Sequence, residues 1–248
     1  VLGIQMRFNL KEGFPLVTTK KMAIKSLVAE ILGHIRGFDN AADYRVLGTK
    51  VWDANANENK DWLNNPYRKG KDDLGRIYGV QWRHWLTPEG KEIDQLAKVI
   101  HEIETNPLSR RHVITAWNPA ELDRMALPPC PTLLHFYVAG NELSLHLFQR
   151  SGDMFLGVPF NIAQYALLLH MVAQVTNLQV GEFVHTISDA HIYHTHFEAV
   201  KLQLKREPFP LPKLWLNPTI KNIDDFKPED IKILNYKCHP AIKAPMAV

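Results

Sequence analysis

The segment from Asn161 to Gln174 constrains the fold more than any other part of the chain. It reads NIAQYALLLHMVAQ and is apolar on most sides of a helix. A helix of this kind must be covered by protein nearly all round, so the pattern predicts a buried core helix. Because the chain has 248 residues, it can enclose such a core without disulfide bonds. Gln164 and His170 interrupt the apolar run, which falls short of the roughly 18 residues that a membrane span needs.

Weaker patterns predict further elements around this helix. Apolar spacing indicates amphipathic helices from Ile24 to Ile35, ended by Gly37, and from Ile93 to Ile103, ended by Asn106-Pro107. Strands are predicted over 111–117, 132–138, 143–150 and 183–187, and another helix over 191–205. The polar stretch 53–73 is predicted to be an exposed loop or insertion, and the proline-rich tail from 207 to be irregular.

Strands and helices are mixed without strict βαβ alternation, which favours an α+β fold in one domain over 1–248. The composition, 46% hydrophobic and 22% charged, is that of a globular protein. The N-terminus lacks the basic start and long apolar run of a signal peptide. It reads like the middle of a strand, so we expect residues to precede Val1.

The charge and the cysteines narrow the classes of function. Lys plus Arg exceeds Asp plus Glu by 29 − 26 = 3, and no basic stripe interleaved with aromatic residues is present. A nucleic-acid partner is therefore not expected. Cys130 and Cys238 lie far apart and form no CxxC motif. Two free thiols in a reducing, cytoplasmic compartment are the favoured interpretation, although one disulfide is possible.

Cys130 is the strongest candidate for covalent chemistry. It sits in Ala-Leu-Pro-Pro-Cys-Pro-Thr, where prolines on both sides preset the backbone and can hold a nucleophile. A buried structural thiol is the alternative. Gln149-Arg150-Ser151-Gly152-Asp153 follows a predicted strand. An arginine beside a thiol lowers its pKa, and arginine with serine suits a phosphate, whereas the alternative is a solvated turn.

Four other groups of residues are open to two interpretations each. Ser109-Arg110-Arg111 suits an anion or is a solvated surface pair. Glu30 lies at the edge of an apolar helix stripe, where a carboxylate is costly unless it is paired or used. Asn161 is either a helix N-cap or a side chain whose amide forms hydrogen bonds with the edge of a nucleobase. The histidines between Asp189 and His196 are core or surface groups, a sugar-binding set, or a metal site whose spacing matches no common zinc signature.

Several longer pieces occur in one order along the whole chain. They are Gln5-Met6-Arg7-Phe8, Phe14-Pro15-Leu16-Val17-Thr18-Thr19-Lys20, Trp52-Asp53-Ala54-Asn55, Tyr78-Gly79-Val80-Gln81-Trp82-Arg83, Ser109-Arg110-Arg111, Pro129-Cys130, Gln149-Arg150-Ser151-Gly152-Asp153, Leu156-Gly157-Val158-Pro159-Phe160-Asn161, Asp189-Ala190-His191-Ile192-Tyr193 and the tail from Ile242 to Val248. In these pieces the chain resembles the thymidylate synthase family. The resemblance implies an α+β fold whose large mixed sheet packs against its copy in a homodimer. It also implies dUMP as substrate and 5,10-methylenetetrahydrofolate as co-substrate, with no metal and no membrane.

The resemblance also implies roles for individual residues. Cys130 would be the nucleophile, with Arg150 holding it as thiolate, and Glu30 and Tyr78 assisting proton transfer. The other implied sites are the phosphate site (Arg150, Ser151, and Arg110 and Arg111 from across the dimer), the uracil site (Asn161), the ribose site (His191, Tyr193) and the folate site (Trp52, Asn55, Asp153, Leu156, Gly157, Phe160, Ala247). Gln149 is implied to bind substrate, and Asn161 to contribute to catalysis as well. Asp153 is also expected to contribute to catalysis and substrate binding.

Three departures from the family pattern leave the product open. Pro131 stands where the family usually has a histidine that belongs to the water network beside the uracil carbonyl. Ser188 and Gln164 replace the usual glycine and serine, and an arginine-bearing loop expected before Val1 is missing. Related hydroxymethylases form the same methylene intermediate but add water to it, so a dUMP hydroxymethylase is the alternative. A hydrolase using Cys130, His191 and Asp189 is a third possibility, but it lacks an oxyanion loop.

Overall fold

The computed structural model describes residues 1–245. Its strands are β1 (Leu2–Asn9), β2 (Trp85–Leu86), β3 (Glu92–Ile93), β4 (Val113–Thr115), β5 (Pro131–Ala139), β6 (Glu142–Asp153), β7 (Gln179–His191), β8 (Lys213–Leu216) and β9 (Ile231–Leu234). Its helices are α1 (Ile24–Ile35), α2 (Ala41–Leu47), α3 (Asp53–Asn57), α4 (Lys60–Leu63), α5 (Tyr78–Arg83), α6 (Gln95–Thr105), α7 (Gly157–Val175) and α8 (Phe197–Leu204).

A five-stranded mixed sheet forms the centre of the fold, in the order β1-β7-β6-β5-β4. β6 and β7 are parallel, and the other three pairings are antiparallel. The turn Ala139-Gly140-Asn141 joins β5 to β6, and Gly140 adopts φ 60°, a left-handed conformation that glycine tolerates readily. The predicted α+β class and hairpin are confirmed.

The core helix α7 packs against β6, β7 and α1. It has 19 residues and is long and apolar enough to cross a membrane, but 78% of its most apolar window is buried inside the protein. The prediction of a buried core helix is confirmed. The helix begins at Gly157, one turn before the predicted start, with Leu156 at the N-cap. The interpretation of Asn161 as an N-cap is therefore wrong, because Asn161 lies inside the helix.

One face of the sheet is buried in the hydrophobic core, and the opposite face is partly exposed to solvent. Side chains alternate along β5 and β6, so Leu134, Leu145 and Leu147 are fully buried beneath α7. On the opposite face Leu133, Tyr137 and Phe148 are 37%, 57% and 39% exposed. These hydrophobic side chains share the face with His135, Ser144 and His146, and their exposure leaves the face free to pack against another protein layer.

Segment 53–73 is more ordered than its composition suggests. It contains α3 and α4, and Trp62 is buried with its indole N–H donating to the Asp73 carbonyl at 2.7 Å. Arg45 closes the segment with ion pairs of 2.7 Å to both Asp53 and Asp72. Within 53–73 only Ala56, Trp62 and Asp73 are buried, so the predicted exposure is confirmed for most of the segment, whereas the predicted loop contains two short helices.

Three other boundaries differ from the predictions. Helix α6 begins at Gln95, because Ile93 pairs with Trp85 in the small sheet β2-β3. The predicted helix 191–205 begins only at Phe197, since β7 runs to His191 and a 3-10 turn covers His194–His196. The tail is not wholly irregular, because β8 and β9 pair in an antiparallel sheet.

Candidate active site

Cys130 lies immediately before β5 and is fixed from two sides. The Arg150 guanidinium, on the neighbouring strand β6, donates to the carbonyls of Pro128 and Pro129 at 2.9 Å each, and one of its nitrogens lies 3.7 Å from the Cys130 sulfur. From the other side, the Cys130 backbone N–H donates to the Tyr78 hydroxyl at 3.0 Å. The carbonyl groups of Pro128 and Pro129 thus hold the positively charged Arg150 guanidinium beside the Cys130 thiol.

A cavity of about 170 Å³ opens next to this cysteine. It is lined by Glu30, His34, Val51, Trp52, Asn55, Tyr78, Leu127, Pro131, Asn161, Gln164 and Tyr165. Helices α1, α5 and α7 and the start of β5 contribute these walls. Most of the lining is apolar or aromatic, and a few amide and carboxyl groups converge on it, which is typical of a small-molecule site.

Glu30 carries the carboxyl group that lines the cavity. Its carboxylate accepts a hydrogen bond of 2.6 Å from the Gln164 side chain, and the Trp52 indole N–H faces it without meeting hydrogen-bond geometry. Burial outweighs these contacts and raises the pKa of Glu30 to about 7. A carboxyl group with this pKa can both accept and return a proton at neutral pH. Gln164, a departure from the family pattern, therefore has a structural role as the partner of Glu30.

Tyr78 belongs to a row of aromatic groups that the sequence did not reveal. The His34 imidazole stacks on the Tyr78 ring at 5.1 Å, and its Nδ1 lies 2.8 Å from the Tyr44 hydroxyl. Burial lowers the pKa of His34 to about 3 and raises that of Tyr78 well above its usual value, so both groups stay uncharged. The only available signal was that His34 follows Glu30 by four residues, which places both on one helix face.

Asn161 lies on α7 at the far wall of the cavity. Its side-chain oxygen accepts a hydrogen bond of 3.1 Å from Gln149 on β6. Gln149 is buried and also contacts His185, which was not singled out in the sequence. The structure thus brings Asn161, Gln149 and the cavity together.

Asp153, at the end of β6, lies between the start of α7 and the segment that ends the described chain at Pro245. Its carboxylate accepts from the Phe155 N–H at 3.0 Å and lies 3.6 Å from His196, whose other ring nitrogen contacts the Pro245 carbonyl at 2.8 Å. Lys20, also not predicted, donates to the Phe155 carbonyl. Burial lowers the pKa of Lys20 to about 8, against the opposing effect of Asp153.

The remaining predicted folate residues lie around Asp153 and the cavity. Gly157 opens α7, where a Cβ atom would meet Asp153 at 3.8 Å and Asn161 at 4.0 Å. Leu156 precedes it as the N-cap, and Phe160 packs against the main core. Trp52 and Asn55 line the cavity. Ala247 lies outside the described residues.

Other predicted residues stand apart from the cavity. Arg110 and Arg111 are exposed before β4, and Arg111 lines a separate groove with Gln95 and Lys98. His191 lies with its ring edge on Tyr193 at 5.0 Å and its Nδ1 3.6 Å from Asp189. Ser151 follows Arg150 directly on β6.

The geometry gives no support to the hydrolase or metal interpretations. Among residues 1–245, the side chains that reach Cys130 within hydrogen-bond distance are Arg150 and Tyr78, not a histidine. Within the same range, no group of three His, Cys, Asp or Glu side chains is arranged to hold a metal ion. Both cysteines are free thiols.

The fold and the cavity define an α+β protein that holds a cysteine beside an arginine, next to a small, mostly apolar and aromatic pocket that contains a buried carboxyl group. The family model described as thymidylate synthase matches residues 1–248. The chain therefore belongs to the thymidylate synthase family. Membership implies a folate-dependent one-carbon transferase that acts on dUMP with methylenetetrahydrofolate.

Proposed function

We propose that this protein is a thymidylate synthase that converts dUMP and 5,10-methylenetetrahydrofolate to dTMP and dihydrofolate. The observation that carries the proposal is the placement of Cys130 between the Arg150 guanidinium and the Tyr78 hydroxyl, next to the cavity that contains Glu30. Such an arrangement suits covalent catalysis, in which one difficult step is divided into two easier ones.

The Cys130 sulfur forms a bond to C6 of the uracil ring, and the C5–C6 electron pair moves onto O4 as an enolate. C5 then bonds to the one-carbon unit of the folate as the bond from that carbon to the first of its two folate nitrogens breaks and this nitrogen takes up a proton; the second nitrogen departs in the next step. Loss of the C5 proton and departure of the folate nitrogen leave an exocyclic methylene group. Hydride from tetrahydrofolate reduces that group to methyl, the folate becomes dihydrofolate, and the Cys130 thiolate leaves as the C5–C6 double bond re-forms.

The cavity residues serve the proton transfers. The raised pKa of Glu30 lets its carboxyl group exchange protons near neutral pH, through water at O4 and C5. Tyr78 assists from the neighbouring wall. The Arg150 charge stabilises negative charge on the sulfur and contacts the dUMP phosphate together with Ser151. His191 and Tyr193 hold the ribose hydroxyl group.

The folate occupies the region around Trp52, Asn55, Asp153, Leu156, Gly157 and Phe160. The contact of His196 with the Pro245 carbonyl supports this placement, because it brings the end of the described chain to Asp153. A closed site excludes water, which strengthens the electrostatic interactions inside it.

The active unit is a homodimer in which Arg110 and Arg111 of each copy bind the phosphate held by the other. Two observations support it: both arginines are exposed and do not line the cavity of their own chain, and the sheet face carrying Leu133, Tyr137 and Phe148 leaves these three hydrophobic side chains exposed. The expected compartment is the cytoplasm, where both free thiols stay reduced.

One observation favours a second product. Pro131 lines the cavity and offers neither a side-chain polar group nor a backbone N–H to water. Altered water at this wall favours a dUMP hydroxymethylase, in which water adds to the exocyclic methylene group. That reaction yields 5-hydroxymethyl-dUMP and leaves tetrahydrofolate unoxidised.

A single incubation separates the two reactions. The protein is mixed with dUMP and methylenetetrahydrofolate, and both products are identified by mass. dTMP with dihydrofolate supports the synthase, and 5-hydroxymethyl-dUMP with tetrahydrofolate supports the alternative. Absence of both products, with protein that binds dUMP, refutes the proposed function.

A further inference from the structure

Three side chains on three different elements form a continuous chain of hydrogen bonds behind the cavity. His185 on β7 lies 2.8 Å from the side-chain oxygen of Gln149 on β6. The Gln149 side-chain nitrogen donates to the Ser151 carbonyl at 2.8 Å and to the oxygen of Asn161 at 3.1 Å. His185 is fully buried, and Gln149 is 2% exposed, so water does not compete for these groups.

The direction of each hydrogen bond follows from one fixed point. The Ser151 carbonyl can only accept, so the nearby atom of Gln149 must be its amide nitrogen. The Gln149 oxygen then faces His185, which must donate from Nε2. The second hydrogen on the Gln149 nitrogen points to Asn161, whose facing atom must accept and is therefore its oxygen. The whole sequence of donors and acceptors is set by a backbone atom that cannot rotate.

His185 meets this requirement in its neutral form. Burial lowers the pKa of His185 to about 4, so the ring carries one N–H at neutral pH. Its Nδ1 has no partner among residues 1–245, which leaves the proton on Nε2, facing Gln149. Without His185, the Gln149 oxygen would be buried and unpaired, so the Gln149 amide would no longer be held at both of its ends and its hold on Asn161 would weaken.

The orientation of the Asn161 amide decides which base the cavity accepts. Uracil presents an acceptor at O4 and a donor at N3, and it matches an asparagine whose nitrogen faces O4. Cytosine presents a donor at N4 and an acceptor at N3, and it matches the same asparagine turned by 180°. A freely turning amide would therefore bind both bases, and only a fixed one discriminates between them.

We propose that His185 and Gln149 are positioning residues that lock the Asn161 amide in the orientation that reads uracil and rejects cytosine. This inference rests on the proposed function, because it takes dUMP as the substrate. It also takes from the family resemblance that Asn161 binds the edge of the uracil ring. The Asn161 oxygen keeps its second lone pair for the uracil N3–H, and the Asn161 nitrogen stays free to donate to O4.

Two variants test the proposed orientation of Asn161 at two different hydrogen bonds. His185→Leu removes the donor that holds the Gln149 oxygen. Gln149→Glu replaces the amide nitrogen by an acceptor, so that Asn161 must turn its own nitrogen toward residue 149 and present its oxygen to the cavity. His170→Leu is the matched control, because His170 is also a histidine with an uncharged ring, lies on α7, and lines a different pocket.

The measurement is the ratio of dissociation constants for dCMP and dUMP, obtained by titration calorimetry on the folded full-length chain. We expect the ratio to fall at least tenfold in His185→Leu, to fall further in Gln149→Glu, and to stay within about twofold of wild type in His170→Leu. An unchanged ratio in both test variants overturns the lock. A parallel loss of affinity for both nucleotides also overturns it, because that result shows a merely structural role.

Binding separates this inference from the proposed function. Wild-type protein that prefers dUMP yet forms no product refutes the proposed reaction while the ratio still tests the lock. Wild-type protein that binds neither nucleotide overturns both.

Discussion

Gly33 lies in the middle of α1, where glycine weakens a helix, and the reason is its neighbour Tyr44. A Cβ atom on Gly33 would lie 2.2 Å from Cε1 of Tyr44 and 2.8 Å from Cζ. Tyr44 is fully buried, and its hydroxyl contacts His34 at 2.8 Å, so the ring cannot retreat without breaking that hydrogen bond. We therefore expect Gly33→Ala to destabilise the protein despite its gain in helix propensity.

The size of the effect follows from three opposing contributions. Overpacking a core costs about 1–3 kcal/mol, and losing the Tyr44–His34 hydrogen bond costs about 0.5–1.5 kcal/mol. Replacing glycine by alanine in a helix returns about 1 kcal/mol. The expected net loss is about 2 kcal/mol in the free energy of unfolding.

Urea denaturation at equal protein concentration measures this loss as a lower midpoint with an unchanged m-value. Gly157→Ala is the control for stability, because the nearest contacts of its Cβ atom are an ordinary 3.8 Å and 4.0 Å. That control is expected to be neutral or up to about 1 kcal/mol more stable. A Gly33→Ala protein as stable as wild type would refute the reasoning.

Three further predictions concern the proposed chemistry. Cys130→Ser should abolish turnover but keep dUMP binding in calorimetry, and near-normal turnover would exclude Cys130 as the nucleophile. Burial raises the pKa of Glu30 from 4.5 to about 7, so the native state retains a proton that the unfolded state releases across this window. Its contribution to stability should therefore fall as the pH rises through that window, by roughly 3 kcal/mol at most, and Glu30→Gln should flatten the curve of unfolding free energy against pH. Equal slopes for the two proteins would contradict this assignment. Arg110→Ala should weaken dUMP binding, and mixing it with Cys130→Ser subunits should restore some activity; no restoration would argue against a phosphate site shared across a dimer.

The parts of the fold that could be predicted are those encoded by local patterns. Helix α7 follows from an apolar run, and the β5-β6 hairpin follows from two alternating segments around Gly140. The order of segment 53–73 could not be predicted, because it depends on the burial of Trp62 against residues distant in sequence. The start of α8 was missed because β7 continues to His191 and a 3-10 turn covers His194–His196 before the helix begins.

The candidate site shows the same division. Cys130, Glu30 and Asn161 were found from residue type, context and family resemblance, and the structure places Glu30 and Asn161 in one cavity beside Cys130. His34 and His185 were missed, since each acquires its role from a single partner on another element, Tyr44 and Gln149 respectively. The hydrogen bond from Gln164 to Glu30 could not be predicted either, because only the packing of α7 on α1 brings the two side chains together. Pairings of this kind leave no periodic trace in a sequence.

The prolines on both sides of Cys130 make opening of the active site measurable by amide hydrogen exchange. Three of the four residues from 128 to 131 are prolines, so Cys130 carries the only amide hydrogen of the segment. That hydrogen is bound to the Tyr78 hydroxyl. Its exchange with deuterated solvent therefore reports one event, the separation of Tyr78 from the cysteine backbone, and no neighbouring prolyl amide contributes to the signal. A bound ligand that holds Tyr78 in place slows this exchange. The exchange rate of the Cys130 amide therefore reports how often the active site opens.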